Sequence, residues 1–319
     1  MMGPVRVTVV GAGVIGLNCG WQLAQAGHRV RIVAEKPPAE STSAVAAALW
    51  YPYRAYPREQ VTRWSARTYQ ALTGLADQPG NGVRLRRGRE LFRKPAADPW
   101  WIEAVPELER VPPAELPPSY VDGFALTVPV VDMPLHLAWL VDRLVDAGVT
   151  IEPGRVDALG DLAGSADVVV NCAGLGAGAL VPDAEVTPVR GQVVVVAQFG
   201  LTEWLLDQAD EEQLTYVVPR EDTVVLGGTA QEGEDGIVPV PATARSIVRR
   251  CAELVPAVAG ATVLAHRVGL RPARPAVRLA AETPGGGCPV VHCYGHGGAG
   301  VTLAYGCAEE VVSLVGSLG

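Results

Sequence analysis

Near the start of the chain GAGVIG, Gly11 to Gly16, stands between two β-branched runs, and no other stretch constrains the fold as much. The run before it, VRVTVV (Val5 to Val10), has the make-up of a buried parallel strand. The stretch after it, LNCGWQLAQAG, repeats apolar residues at helical spacing and stops at Gly27, a C-terminal cap signal. A second strand, RVRIVAE, ends at Glu35. Strand, glycine turn, helix, strand and an acidic residue roughly 20 to 25 positions on form a dinucleotide-binding pattern. Gly11 makes the tight turn, Gly13 admits a pyrophosphate to the backbone, and Gly16 lets the helix pack closely on the strand. The free N–H groups at the helix start then face the phosphates, and Glu35 can accept from ribose hydroxyls.

A second glycine cluster near the C-terminus repeats this logic. YGHGGAGVT (Tyr294 to Thr302) joins a strand to a long helix, and Gly295, Gly297, Gly298 and Gly300 thin the backbone there. A dinucleotide has two ends, and this helix start can face the other one. If the ligand is FAD, that end is the isoalloxazine, whose reduced form a helix N-terminus stabilises. His296 in this loop reads as structural, or as exposed beside the cofactor. In STSAVAAALWYPY (Ser41 to Tyr53), Ser41, Thr42 and Ser43 offer hydroxyls, and small residues permit close backbone approach. The same residues serve equally as an ordinary helix cap.

VGLRPARPAVRL (Val268 to Leu279) poses a different question. Pro272 and Pro275 exclude an ordinary helix and argue against a central strand. Arg271, Arg274 and Arg278 either face water from an edge strand, or one of them awaits a carboxylate in a pocket. Composition narrows the partners. Formal net charge is -8, so nucleic acid is not expected. The N-terminus runs straight into a strand, and no apolar run approaches a membrane span, so a cytoplasmic protein without membrane contact is expected. The six cysteines include no CxxC pair. They read as buried small hydrophobes rather than a zinc site, and no metal is expected. Cys288 and Cys293 are close enough in sequence for a disulfide.

GAGVIG, AAALWYP, DVVVNCAGLGAGAL, PVRGQVVVV, YVVP, LGGTAQ, VGLRPARPAVRL and HCYGHGGAGVTLAYGCA occur in this order over nearly the whole chain. Together they resemble the D-amino-acid oxidase family, which includes D-aspartate oxidases. The match is weakest over residues 74–118. The resemblance implies an α/β fold: a Rossmann-like FAD-binding domain interleaved with a mainly antiparallel, β-rich substrate domain. The first would take residues 1–55, 135–190 and 262–319, and the second residues 56–134 and 191–261.

It also implies non-covalent FAD, held by Gly11, Gly13, Val14, Ile15, Gly16, Glu35, Lys36, Thr42, Ser43, Ala48, Leu49, Trp50, Val156, Arg278, Gly297, Gly300, Val301 and Thr302. Arg271 and Tyr216 would bind the substrate α-carboxylate, the Gly298 carbonyl would accept from its amine, and Tyr53 would line the pocket. Arg278 would lie beside the flavin, and Arg274 reads as structural. The implied reaction is oxidative deamination of D-amino acids by hydride transfer to flavin, giving 2-oxo acid, ammonia and hydrogen peroxide from molecular oxygen. The working form would be a monomer or homodimer.

The animal members of the family carry a tyrosine where this chain has Ala299 and a glutamine where it has Tyr51. They also carry an aromatic lid before Tyr216 that LLDQADEEQL lacks. A D-aspartate oxidase would need a second cation, with Arg54 and Arg58 as candidates. A flavin-binding redox protein without turnover would need no carboxylate clamp. The acidic run Asp207, Asp210, Glu211 and Glu212 predicts a preference for neutral or basic side chains over acidic ones.

Overall fold

A computed structural model describes residues 3–207, 209 and 214–318. Strand β1 (Arg6–Val10), helix α1 (Val14–Gln25) and strand β2 (Arg29–Ala34) form the unit that the first glycine motif predicts. A short helix α2 (Thr42–Val45) and a long helix α3 (Arg58–Leu75) lead into strands β3 (Val83–Phe92), β4 (Glu109–Arg110) and β5 (Asp122–Val131). Helix α4 (Met133–Asp146), strands β6 (Thr150–Pro153) and β7 (Val168–Asn171) and helix α5 (Ala177–Leu180) follow. Next come β8 (Thr187–Ala197), β9 (Trp204–Asp207), β10 (Thr215–Pro219), β11 (Thr223–Gly227), β12 (Gln231–Glu232) and helix α6 (Pro241–Leu254). Strands β13 (Val263–Glu282) and β14 (Val290–His296) and helix α7 (Gly300–Ser317) end the chain.

These strands make one sheet in the order β4-β5-β3-β9-β10-β11-β8-β13-β14-β7-β1-β2-β6, with β12 also pairing with β8. From β14 to β6 every pairing is parallel. Val7, Val9, Val168, Val169 and Val170 are almost fully buried there, as expected of a sheet covered on both faces. From β13 to β4 the pairings are antiparallel except β3 with β9. The α/β class with an antiparallel extension is therefore the architecture. Among the described residues, no helix is long and apolar enough to cross a membrane.

Strand β13 overturns one expectation. The proline-bearing segment is a central strand, bonded to β8 from Val263 to Ala273 and to β14 at Ala273 and from Arg278 to Glu282. Its prolines stand where no ladder donor is needed. Pro272 lies opposite Pro188 of β8, so neither strand loses a partner. Pro275 falls in the break between Ala273 and Arg278 where the register with β14 shifts. A proline costs a strand only the bond its missing N–H would have made.

Helices α3 and α6 were not legible as elements. Yet α3 buries Val61, Trp64, Ser65, Thr68, Tyr69 and Leu72 at helical spacing. It packs on α7 at backbone contact. A Cβ on Gly306 would lie 2.3 Å from the Trp64 carbonyl oxygen, so only glycine lets the two helices meet. Gly306→Ala should therefore push α3 and α7 apart and cost about 2 to 3 kcal/mol. The urea midpoint measures this, and an unchanged midpoint would show that the contact does not set the helix spacing.

Candidate active site

The two glycine motifs open on one cavity of about 820 Å³. At one end Gly11, Gly13, Val14 and Ile15 line it at the start of α1, with Glu35 and Lys36 just past the end of β2. Helix α1 reaches the sheet through a glycine pair: a Cβ on Gly16 would fall 1.9 Å from the Gly11 carbonyl oxygen. Gly11 itself has φ 105°, a backbone that favours glycine. Ser43 Oγ accepts from Val14 N–H at 3.0 Å, so the segment after β2 caps α1 from outside. Thr42 Oγ1 donates to the Leu270 carbonyl at 3.0 Å, which ties the same segment to β13. Arg155 stands 3.6 Å from Glu35 beside Val156 at this rim.

Along the cavity wall Ala48 holds φ 57°, an uncommon conformation for a residue with a Cβ. Its carbonyl accepts from Val131 N–H, and Leu49 bridges to Val130. Thr302 Oγ1 accepts from Tyr51 N–H and donates to the Tyr51 carbonyl, both at 3.0 Å, and so fastens this wall to α7.

At the other end Arg271, Tyr216, Tyr53 and Gly298 converge. Arg271 Nη1 donates to the Thr229 carbonyl at 2.9 Å. Its guanidinium lies flat over β8, where a Cβ on Gly191 would be 2.4 Å from Nη1. Tyr216 lies over its cross-strand neighbour in the same way: a Cβ on Gly227 would be 1.7 Å from the ring. A Cβ on Gly298 would meet the Tyr53 ring at 2.8 Å and Arg271 Cδ at 3.5 Å. Burial pushes the Tyr216 hydroxyl above its ordinary pKa, while the charge of neighbouring Arg271 pulls the other way. The phenol therefore stays protonated at neutral pH and can donate.

The three arginines of the proline-rich segment now separate. Arg274 pairs with Asp183 at 3.1 Å and with Glu185. Arg278 pairs with Glu282 at 2.9 Å and bonds the Tyr294 hydroxyl at 2.7 Å. Asp183, which also accepts from Tyr294, is the buried hub of both. Burial works against its charge, but Tyr294, the Glu185 N–H and Arg274 more than offset that and hold its pKa below the ordinary carboxylate range. Arg271 alone of the three lines the cavity, and among the described residues no carboxylate pairs with it.

Most residues expected at the cofactor line this cavity: Gly11, Gly13, Val14, Ile15, Glu35, Lys36, Thr42, Ser43, Ala48, Leu49, Val156, Gly297, Gly300, Val301 and Thr302. Gly16, Trp50 and Arg278 do not. Gly16 serves packing. Trp50 turns into the core, where its indole N–H donates to Ser65 O and its ring meets Tyr69 and Trp101. Arg278 is drawn to Asp183 and Glu282 instead. The wall near Arg271 also holds residues that sequence reasoning missed, namely Leu206, Leu214, Val218 and Ile237. Behind Tyr51 lies a further one. Glu90 is only 3% exposed, and its two carboxylate oxygens accept from the Tyr51 hydroxyl, each at 2.9 Å.

Several other expectations change. Asp207 does not line this cavity. It accepts from Tyr120 at 2.6 Å and pairs with Arg93 at 3.1 Å. Asp210, Glu211 and Glu212 lie outside the described residues. Arg54 pairs with Glu232, and Arg58 sits over Tyr56 and Trp100, so neither lines the cavity. All six cysteines are free thiols, and Cys288 faces the Ala166 carbonyl rather than Cys293.

The residues present fit a dinucleotide. One helix start and a glycine cradle stand at one end, a second helix start at the other, and both open on the same space. A side chain at Gly13 would enter the cradle 3.3 Å from Ser43 Oγ.

Comparison with known proteins agrees. Residues 6–314 match the family model described as FAD dependent oxidoreductase. The chain is 52% identical to a D-amino-acid oxidase of Rubrobacter xylanophilus, over 98% of this chain and 96% of that protein. It is 46% identical to a D-amino-acid oxidase of Streptomyces coelicolor, over 97% of this chain and 96% of that one. A solved glycine oxidase of Geobacillus kaustophilus superposes with a TM-score of 0.82 at 22% identity, covering 98% of this chain and 95% of that one, and so shares the fold.

The purified protein should be yellow and should release intact FAD on denaturation. Gly13→Val should keep the urea midpoint of the flavin-free protein while losing most of the flavin absorbance. A variant with full flavin content would show that the cradle is not where the cofactor sits.

Proposed function

This chain belongs to the FAD-dependent oxidoreductase family, and from that premise we propose that Arg271, Tyr216 and Gly298 hold the substrate of a D-amino-acid oxidation. The protein oxidises D-amino acids with FAD as its cofactor. The reaction is oxidative deamination to a 2-oxo acid and ammonia, with hydrogen peroxide formed from molecular oxygen. One observation carries the assignment of the clamp: Arg271 is a cation aimed into the cavity with no acidic partner among the described residues.

The substrate α-carboxylate docks on the Arg271 guanidinium and takes a further hydrogen bond from the Tyr216 hydroxyl. The apolar wall of Leu206, Leu214 and Val218 excludes water and strengthens that charge-assisted pair. The Gly298 carbonyl accepts from the amine, which fixes the α-carbon between two anchors. Which face the α-hydrogen presents, and hence D selectivity, follows from the order of those anchors. No carboxylate lines this end among the described residues, so the site works by orientation rather than by a side-chain base.

FAD, when bound, supplies the two-electron acceptor that the side chains lack. Gly11, Gly13, Val14 and Ile15 would hold its phosphates, Glu35 its ribose, and the α7 start with Gly297, Gly300 and Val301 its ring end. In this reading residues 1–55, 135–190 and 262–319 serve the cofactor, and residues 56–134 and 191–261 shape the substrate side. The working form is a cytoplasmic monomer or homodimer.

Side-chain preference runs to neutral or basic D-amino acids over acidic ones. No second cation lines the substrate end among the described residues. A side-chain carboxylate would therefore enter unpaired, at a desolvation cost that a neutral side chain does not meet.

Arg271→Ala should lower kcat/KM by about 2 to 5 kcal/mol, roughly 30-fold to several-thousand-fold, with flavin absorbance retained. Tyr216→Phe should cost about 1 kcal/mol, because it removes one donor and leaves the charge pair. Near-normal kcat/KM for Arg271→Ala would remove it as the clamp.

A panel of D-aspartate, D-valine and D-arginine tests the preference. D-aspartate should be the poorest, and its deficit should persist at high salt, because a desolvation cost is little screened. D-aspartate as the best substrate would make this a D-aspartate oxidase, and collapse of the gap at high salt would point to exposed charges instead.

A further inference from the structure

Beneath the cofactor cavity lies a cluster that the oxidation does not use. Cys19 on α1, Cys172 just past β7, Cys293 and His296 on β14 and Cys307 on α7 are all buried. The thiols of Cys19, Cys172 and Cys293 lie within 4.8 Å of one another, and so do the donor atoms of Cys293, His296 and Cys307. Cys293 belongs to both groups, so five donors share one space. Cys172 Sγ is 3.8 Å from Cys19 Sγ, and His296 Nε2 is 3.9 Å from Cys293 Sγ.

We propose that Cys293, His296 and Cys307, completed by Cys19 or Cys172, form a binding site for one thiophilic divalent cation of the zinc(II) class. Buried cysteines usually serve as small hydrophobes, as Cys251 does beneath β10 and β11. This cluster differs in holding an imidazole, whose Nε2 meets sulfur and no oxygen among the described residues. Its dimensions also fit. Zinc bonds of about 2.3 Å to sulfur and about 2.0 Å to nitrogen place tetrahedral donors roughly 3.5 to 3.8 Å apart. The 3.9 Å between Cys293 Sγ and His296 Nε2 is close to that, and with Cys307 the three donors lie within 4.8 Å of one another, so an inward shift closes three corners and one sulfur of the neighbouring group moves in as the fourth.

Charge is nearly balanced: three thiolates and a neutral imidazole around a divalent cation leave a net charge of −1. Cys293 and His296 are three positions apart at a strand end, and Cys307 faces them from the following helix. The cation would therefore pin the end of β14 to α7 across the turn that carries Gly298. Cys172, Cys293 and His296 line the cofactor cavity, which gives the ion a way in.

Cadmium(II) is the probe, added to the protein with and without FAD under a phosphine reductant. One equivalent should bind, raise an ultraviolet thiolate-to-metal charge-transfer band in the difference spectrum, and release about three protons as the thiols ionise. Cys293→Ala and Cys307→Ala should abolish the band, whereas Cys288→Ala should retain it. His296→Asn should weaken binding by more than the roughly 10-fold typical of losing an outer-shell partner. Cys19→Ala and Cys172→Ala, compared with each other, identify the fourth donor. Absence of the band both with and without FAD, its survival in Cys293→Ala, or loss of the thiols to a disulfide in place of metal binding would each overturn the proposal.

Discussion

A guanidinium held without a carboxylate in a low-dielectric cavity is costly, and much of the surrounding structure keeps Arg271 in that state. An arginine finds an acid wherever one is within reach, as Arg274 and Arg278 do with Asp183, Glu185 and Glu282. Arg271 is denied one by its place on the strand. Its side chain lies over Gly191, with the Thr229 carbonyl as its fixed partner, and the wall around it is leucine, valine and tyrosine. Under the role proposed for Arg271, that charge would meet a carboxylate that enters from outside, and desolvation that penalises a free charge would become selectivity once the ligand supplies its counter-ion.

The cofactor side rests on sterics rather than charge. Helix α1 touches β1 through Gly11 and Gly16, and Ser43 caps its first turn from a different segment. Thr302 fastens the Tyr51 wall to α7. The two helix starts are thus set relative to each other by contacts that leave the space between them clear. Catalysis by orientation asks for such a frame, because displaced anchors would turn a different α-substituent inward.

What could be read from the chain depended on how local the cause was. The GAGVIG turn is decided within a few residues by glycine sterics, so both its geometry and its ligand class were legible. The prolines of β13 misled because their neighbours are remote: only the register places Pro188 opposite Pro272. Trp50 was assigned to the cofactor with Leu49, although alternation along an extended segment sends neighbouring side chains to opposite faces. Leu49 and Tyr51 face the cavity, and Trp50 faces the core. Helix α3 was hidden because its buried stripe includes Ser65 and Thr68, which break the apolar pattern. The Tyr51–Glu90 pair and the sulfur cluster join residues from distant parts of the chain, and no local signal marks them.

Strand β13 belongs to both halves of the sheet. Its first half pairs with β8 and its second half pairs, also antiparallel, with β14, the first strand of the parallel array, with Arg271 close to the changeover. The two halves therefore cannot be exchanged as modules. A graft that replaced the substrate side with that of another enzyme would have to cut this strand, and either piece would carry away one wall of the other's site. Diversification of such a scaffold has to proceed through side chains on a shared backbone, not through recombination of halves.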